Sequence, residues 1–348
     1  MKNTMLAAVL HKPEDMRVEE VLVPEIGENE ILIAVQRCGI CGTDPHIYRG
    51  HFPAPTPLIQ GHEFSGVVAR IGSAVNTVQV GDHVTADINI SCGKCFYCRM
   101  GQKLFCEEIT QIGVHINGAF AQYVKVPESN IYKLPEDMSW EDAAYIEPLA
   151  CVIRGQERAN ITMGSTVAII GAGPMGLVHA QLARLNGASK VIITEMNAVR
   201  IEKAKSLGID HVIDASAQDP VKAVFDLTEG RGADFVIEAV GAVPTYQQAF
   251  QMVRRGGVLV TYGAAPANAV MEIKPFEIYS KELTIVGSYA GTYDTWLKAI
   301  HLISSKRFKP TDIITKTIPL QQVEDGVREA MTNKDTIKII VDCTTVNE

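Results

Sequence analysis

A short apolar strand, Val167-Ala168-Ile169-Ile170, opens through Gly171-Ala172-Gly173-Pro174-Met175-Gly176 into a helix expected at residues 177–185. Three glycines at this spacing are weak evidence alone, but between a buried strand and a helix they confine the chain to a βαβ unit. Gly171 permits the tight turn, Gly173 lets a pyrophosphate approach the backbone, and Gly176 lets the helix pack on the sheet. Further strands expected at 191–194, 211–213, 235–238, 258–262 and 283–287, mostly separated by helices, extend the unit into an α/β doubly wound parallel sheet. Glu195 follows Gly176 by nineteen residues, where a carboxylate accepts ribose hydroxyls and repels a 2'-phosphate. No Arg or Lys comes after it before Arg200, so NAD is expected rather than NADP. Arg200 itself reads either as a cofactor contact or as a solvated helix charge. Pro174, Met175, Val240, Gly263 and Ser288 complete the expected cofactor contacts.

The chain before this unit has a different texture. Apolar segments at 5–9, 17–23, 30–37, 64–71, 78–86 and 121–126 are punctuated by turn residues such as Lys12-Pro13, Gly27-Glu28-Asn29 and Gly81-Asp82, which predicts a mostly antiparallel β region. Ser139 caps a short helix, and Glu147-Pro148 starts another. After Tyr293 come a helix at 295–304, a segment ending near Ile318-Pro319, a helix at 321–332 and a strand at 338–342. That tail lies beyond the sixth strand and is expected to return to the N-terminal region. The domains are therefore expected at 1–152 with 291–348, and at 153–290. A chain of 348 residues exceeds what one core supports. Its net charge of -8, without any Lys/Arg block, argues against nucleic acid or an anionic membrane as partner. No apolar run is long enough to span a bilayer, so a cytoplasmic protein acting on a small molecule is expected.

Two groups of residues have the composition of metal sites. Cys41-Gly42-Thr43-Asp44-Pro45-His46 is followed by Gly61-His62-Glu63, and sulfur, imidazole and carboxylate together suit a catalytic zinc with three protein ligands and one open position. Cys41, His62 and either Glu63 or Glu147 satisfy that count. Neighbouring side chains on a strand face opposite ways, so Gly61 must bend the backbone if His62 and Glu63 are both to reach the ion. Cys38 and Cys41 form a C-x-x-C, but a redox pair belongs at a helix start in a βαβ setting, and Cys38 reads as a buried bystander. Cys151, four residues beyond Glu147, reads as a neutral buried thiol. Cys92, Cys95, Cys98 and Cys106 give a closed set of four thiolates, a structural zinc site.

Together these motifs, in their order and spacing, resemble the zinc-dependent medium-chain dehydrogenases, the alcohol dehydrogenase superfamily, over nearly the whole chain. The resemblance implies a GroES-like catalytic domain, a Rossmann domain, two zinc ions, and hydride passing from an alcohol to the nicotinamide of NAD. It assigns Cys41, His62 and Glu147 to the catalytic zinc, with Glu63 as ligand or support. It makes Thr43 the hydroxyl that takes the substrate proton and His46 the imidazole that hands it to solvent. Glutamate in Glu147-Pro148-Leu149 is similar to the sorbitol dehydrogenase branch, which implies a polyol substrate. The complete four-cysteine lobe and the lack of an arginine in Gly287-Ser288-Tyr289-Ala290-Gly291 depart from animal members of that branch. The Cys-Gly-Thr-Asp-x-His-Ile-Tyr spelling at 41–48 is also that of L-threonine 3-dehydrogenases, and a vicinal diol such as 2,3-butanediol is a third possibility. A zinc-free enone reductase would need neither Cys41, His62 nor Glu195, and a non-catalytic zinc and nucleotide sensor would need neither Thr43 nor His46. A homodimer or homotetramer, joined edge to edge through the last Rossmann strand, is implied.

Overall fold

The computed structural model describes residues 3–344. Contacts divide the chain into two compact units, residues 1–150 with 292–348, and residues 151–291.

The first unit is built on a seven-stranded sheet ordered Ile131–Lys133, His83–Ala86, Glu63–Ile71, Glu30–Gly39, Lys338–Asp342 and Ile314–Pro319, with Tyr123–Pro127 also pairing Glu30–Gly39. A smaller sheet carries Thr4–Lys12 between Asp15–Leu22 and Leu58–Ile59. The pairings are antiparallel except that of Ile314–Pro319 with Lys338–Asp342. The tail does return: Val341 pairs with Cys38 and Ile340 with Gly39. Buried side chains of Glu30–Gly39, including Ile31, Ile33 and Val35, pack with Leu10, Phe64 and Phe120 in one core. Two local expectations need correction. Of residues 78–86, only His83–Ala86 are strand. Gly81 takes a φ of 98°, and the Asp82 carboxylate accepts the Gln79 N–H at 2.9 Å, so turn chemistry displaces the first half of the strand. Residues 43–48, expected as plain connection, form the helix Thr43–Tyr48.

The second unit is a six-stranded parallel sheet ordered His211–Asp214, Lys190–Glu195, Thr166–Ile170, Ala233–Glu238, Val253–Thr261 and Thr284–Gly287. In chain order this is 3-2-1-4-5-6, the doubly wound arrangement. The order reverses between Thr166–Ile170 and Ala233–Glu238, and the carboxyl ends of those strands flank the crevice in which such sheets bind ligands. The central strands are largely apolar and mostly buried, as expected of a parallel sheet covered on both faces, with charged residues only near their ends. Pro174 begins the helix Pro174–Leu185 directly after the N-cap Gly173, where its missing N–H costs no hydrogen bond.

Candidate active site

The chain leaves the strand Glu30–Gly39 and turns at Cys41, where the fully buried Asp44 fixes the turn by accepting the Cys41 N–H at 2.8 Å. Gln60 donates to the Asp44 carbonyl at 3.1 Å and ties this turn to the segment carrying His62. Gly61 takes a φ of 90°, and a Cβ there would lie 2.7 Å from the Phe120 nitrogen, so only glycine makes the bend. The bend has the effect the sequence required of it. Donor atoms of Cys41, His62 and Glu63 all lie within 4.8 Å of one another.

The electrostatics of this cluster favour a cation. Burial alone would lower the His62 pKa, but Cys41 and Asp44 outweigh it and hold the imidazole well above its ordinary value. Burial raises the Asp44 carboxyl to about 6 against the pull of His62 and the Cys41 N–H. Asp44 Oδ1 and His62 Nδ1 stand 3.7 Å apart, both buried and without a hydrogen-bond partner. A thiol, an imidazole and a carboxylate drawn together beside an orphaned acid are the donor set of a zinc site whose histidine is oriented by a carboxylate behind it. The set fits the metal.

Glu63 has a second engagement. Its Oε2 is ion-paired with Lys338 Nζ, both side chains being 2% exposed, and Lys338 also donates to the Ile40 carbonyl at 2.9 Å. A Cβ on Gly39 would collide with the Glu63 carboxylate. Glu147, buried in the first turn of the helix Ile146–Ala159, acts electrostatically on both His62 and Lys338. Glu63 thus lies in the donor group with Cys41 and His62 and pairs with the lysine, and Glu147 acts on the same cluster electrostatically.

Thr43 and His46 stand on the helix Thr43–Tyr48, three residues apart and so on neighbouring turns of one face. The Cys41 thiol lies 3.6 Å from the Thr43 hydroxyl, while the His46 side chain is exposed. Tyr48 anchors the helix end by donating to Glu324 Oε1 at 2.7 Å. One end of the pair thus touches the donor cluster and the other meets solvent.

The second cysteine group is equally compact, its four sulfur donors lying within 4.8 Å of one another. All four are free thiols, and Cys92 Sγ and Cys98 Sγ are 4.0 Å apart, far beyond a disulfide bond. Backbone N–H groups of Cys92 and Glu108 point at Cys106 Sγ at 3.3 and 3.4 Å, and that of Cys95 at Cys92 Sγ at 3.4 Å. Such bonds stabilise thiolates, and the Cys95 thiol is drawn down to about 6 chiefly by backbone hydrogen bonds. The lobe is fastened from below by buried Lys103, whose Nζ lies 2.5 Å from Asp87 Oδ2 and 4.0 Å from the Tyr293 ring centroid.

In the second unit Gly171 has a φ of 96°, and its N–H bonds to the Thr194 carbonyl at 2.8 Å. Gly173 is the N-cap of the following helix, and a Cβ on Gly176 would strike the Gly171 carbonyl. Glu195 stands beside this loop. It accepts the Ala172 N–H at 2.8 Å through Oε2, and those of Met196 and Asn197 at 2.7 and 2.9 Å through Oε1. The Arg200 guanidinium lies 3.6 Å from where a Gly173 Cβ would stand, so it borders the loop as well. The Val240 side chain lies 2.7 Å from a Cβ built on Gly171. Met175 Sδ accepts from the Tyr262 hydroxyl at 3.6 Å, Gly263 packs against Gly241, and the buried Ser288 hydroxyl has no partner.

Comparison with known proteins gives the relationship. Residues 27–136 match the alcohol dehydrogenase GroES-like domain, and residues 174–305 match the zinc-binding dehydrogenase family. The chain is 38% identical to an L-threonine 3-dehydrogenase of Rhizobium johnstonii, covering 98% of this chain and 99% of the relative. It is 34% identical to the sorbitol dehydrogenase of Bacillus subtilis, covering 97% of each. The protein belongs to the zinc-dependent alcohol dehydrogenase superfamily. A zinc-binding dehydrogenase from Sinorhizobium meliloti, solved with NADP bound, has the same fold as this dehydrogenase, with a TM-score of 0.94, 35% identity, and coverage of 98% of this chain and 100% of that one.

Two residues at the donor cluster have no motif of their own in the sequence. Asp44 is visible only as a member of the Cys41 motif, and Lys338 only as the polar first residue of an apolar strand, a charge at the edge of an apolar run being its one signal.

Proposed function

We propose that the enzyme oxidises a secondary alcohol of a polyol or sugar alcohol to a ketone with NAD as hydride acceptor. The observation that carries the reading is the convergence of Cys41, His62 and Glu63 donor atoms, with Glu147 acting on the same cluster, beside the Thr43 hydroxyl, which shares its short helix with the exposed His46. Cys41, His62 and Glu147 would hold a zinc ion, which would supply Lewis-acid chemistry at the alcohol oxygen. Glu147 is the preferred third ligand because Lys338 engages the Glu63 carboxylate. Asp44 faces His62 Nδ1 and orients the ring. Thr43 would take the substrate proton while giving its own on toward His46, whose exposed side chain would hand it to solvent. Cys92, Cys95, Cys98 and Cys106 would hold a second zinc, which would stabilise their lobe.

Residues 153–290 supply the dinucleotide domain in this reading, and residues 1–152 with 291–348 the catalytic domain. Gly173, Met175 and Gly176 offer backbone N–H groups to the pyrophosphate, while Gly171 makes the turn and Pro174, which has no N–H, opens the helix. Glu195 takes the ribose hydroxyls, and its charge beside the loop disfavours a 2'-phosphate. Arg200, Val240, Gly263 and Ser288 line the same region. The exposed edge strand Thr284–Gly287, with Ile285 40% exposed, supports homo-oligomerisation by strand pairing, as dimer or tetramer. Cysteines that read as zinc ligands, Cys41, Cys92, Cys95, Cys98 and Cys106, rather than as disulfide partners support a reducing, cytoplasmic setting.

Threonine is the second reading, favoured by the 38% identity to an L-threonine 3-dehydrogenase. Initial rates of NAD and NADP reduction across polyols, inositols, sugar phosphates, L-threonine and butanediol decide between the two. We expect a polyol to lead, and NAD to exceed NADP by about tenfold or more in kcat/KM, a difference of about 1.4 kcal/mol. L-Threonine leading by a similar margin overturns the polyol assignment, and NADP leading removes the role given to Glu195.

A further inference from the structure

Glu238 ends the strand Ala233–Glu238 beside the point where the parallel sheet reverses its order, and it is fully buried. In register it stands between Ile170 on one neighbouring strand and Thr261 on the other. Its carboxylate is held by backbone N–H groups and one hydroxyl. Oε1 accepts from Val240 N at 3.0 Å, Gly241 N at 2.9 Å and Thr245 Oγ1 at 2.7 Å, and Oε2 from Gly241 N at 3.1 Å. Its backbone carbonyl accepts from Tyr262 N at 3.2 Å and Gly263 N at 2.8 Å. Ala239 N donates in turn to the Ile170 carbonyl at 3.1 Å. Glu238 and its neighbour Ala239 therefore fasten the chain at the carboxyl ends of three adjacent strands, the Glu238 carboxylate itself holding the loop at Val240 and Gly241.

The surrounding packing leaves this fastening no slack. A Cβ on Gly263 would stand 2.6 Å from Glu238 Oε2, and one on Gly241 would stand 2.6 Å from the Ala264 carbonyl, so the two loops meet backbone to backbone around the carboxylate. The loop so fixed carries Val240, whose side chain abuts Gly171 at the glycine turn. A buried carboxylate is a costly fastener, tolerated where its hydrogen bonds are complete. It also restricts the loop more tightly than apolar packing, because each donor must point at one of two oxygens.

We propose that Glu238 is the positioning residue of the cofactor site, clamping the Val240–Gly241 loop and the start of the helix Val243–Met252 so that the surface offered to the dinucleotide is formed before it binds. The inference rests on the reading of this unit as a dinucleotide domain. It deepens that reading by naming what holds the loop that abuts the glycine turn. Glu238 does not itself touch the cofactor, and it acts through Val240, Gly241 and Gly263.

The test is NADH titration by fluorescence and steady-state kinetics on the full-length, zinc-loaded enzyme and its Glu238→Ala, Glu238→Gln and Thr245→Val variants. We expect Glu238→Ala to raise the NADH Kd and the KM for NAD by about tenfold or more, the scale of losing hydrogen bonds to a charged group. At saturating NAD, kcat and the KM for the alcohol should stay near wild type. Glu238→Gln should recover much of the loss, because its amide oxygen can still accept from Val240, Gly241 and Thr245. A Glu238→Ala enzyme that binds NADH as wild type does, whether or not its Tm falls, overturns the proposal. If Glu238→Ala does not fold, Thr245→Val carries the test, with a raised Kd at native Tm expected and an unchanged Kd contradicting the clamp. A Glu195→Ala control separates the two readings. Weakened binding in that control together with unchanged binding in Glu238→Ala sinks only the clamp, whereas a wild-type enzyme that binds no NADH sinks the dinucleotide reading and the clamp with it.

Discussion

Cys41→Ser is expected to lower kcat by about 10³-fold or more, since a Lewis acid at the reacting oxygen contributes several kcal/mol and each factor of ten is about 1.36 kcal/mol. The variant should stay folded. Cys41 lies on a partly exposed turn held by the Asp44 carboxylate through the Cys41 backbone N–H, a bond that serine keeps. One zinc of the two should be lost, because the four-cysteine site shares no donor with Cys41. Cys38→Ser is the matched control. Cys38 is fully buried, its thiol faces the Gly39 carbonyl at 3.8 Å, and it is absent from both donor groups. Its replacement should leave kcat within about twofold while costing some stability for the buried hydroxyl. Paired kinetics, metal content and circular dichroism check both variants.

Lys338→Met is expected to destabilise the first unit by about 3–5 kcal/mol, the cost of stranding one partner of a buried ion pair. Lys338 and Glu63 are each 2% exposed, and no solvent stands ready to replace the missing partner. Burial alone would lower the lysine pKa, but Glu63 and Cys41 outweigh it and raise it. The double variant Lys338→Met with Glu63→Gln should recover most of the loss, since two neutral groups no longer need each other. Chemical unfolding of the wild type, the two single variants and the double variant gives the coupling directly. Absence of recovery in the double variant would show that the lysine acts through the Ile40 carbonyl or through packing. Glu63→Gln also bears on the choice of zinc ligand: with Glu147 as ligand it retains the catalytic zinc, and with Glu63 as ligand it does not.

What could be read in the sequence was what is local. The glycine strand, the four-cysteine lobe and the Cys41 and Gly61-His62-Glu63 motifs are each encoded within a few residues. The central Rossmann strands Thr166–Ile170, Lys190–Glu195 and Ala233–Glu238 are mostly buried and so are written as largely apolar runs. What was hidden depends on distant partners. The helix Thr43–Tyr48 is too short to show a period, and it is held by a local carboxylate and by Tyr48 bonding to Glu324, 276 residues away. Lys338 meets Glu63 across 275 residues because the C-terminal strand docks beside Glu30–Gly39. Glu238 looked like a strand end, and its role emerges only when three strand termini are seen side by side.

The most direct test of the account is zinc counting on the purified enzyme before and after mild chelation, with activity followed in parallel. The account predicts two zinc ions per chain, one at each donor group, the one at Cys41 and His62 leaving first and taking the activity with it, and both returning when zinc is restored. No more than one zinc per chain, or full NAD-linked activity after the first ion has gone, would contradict it.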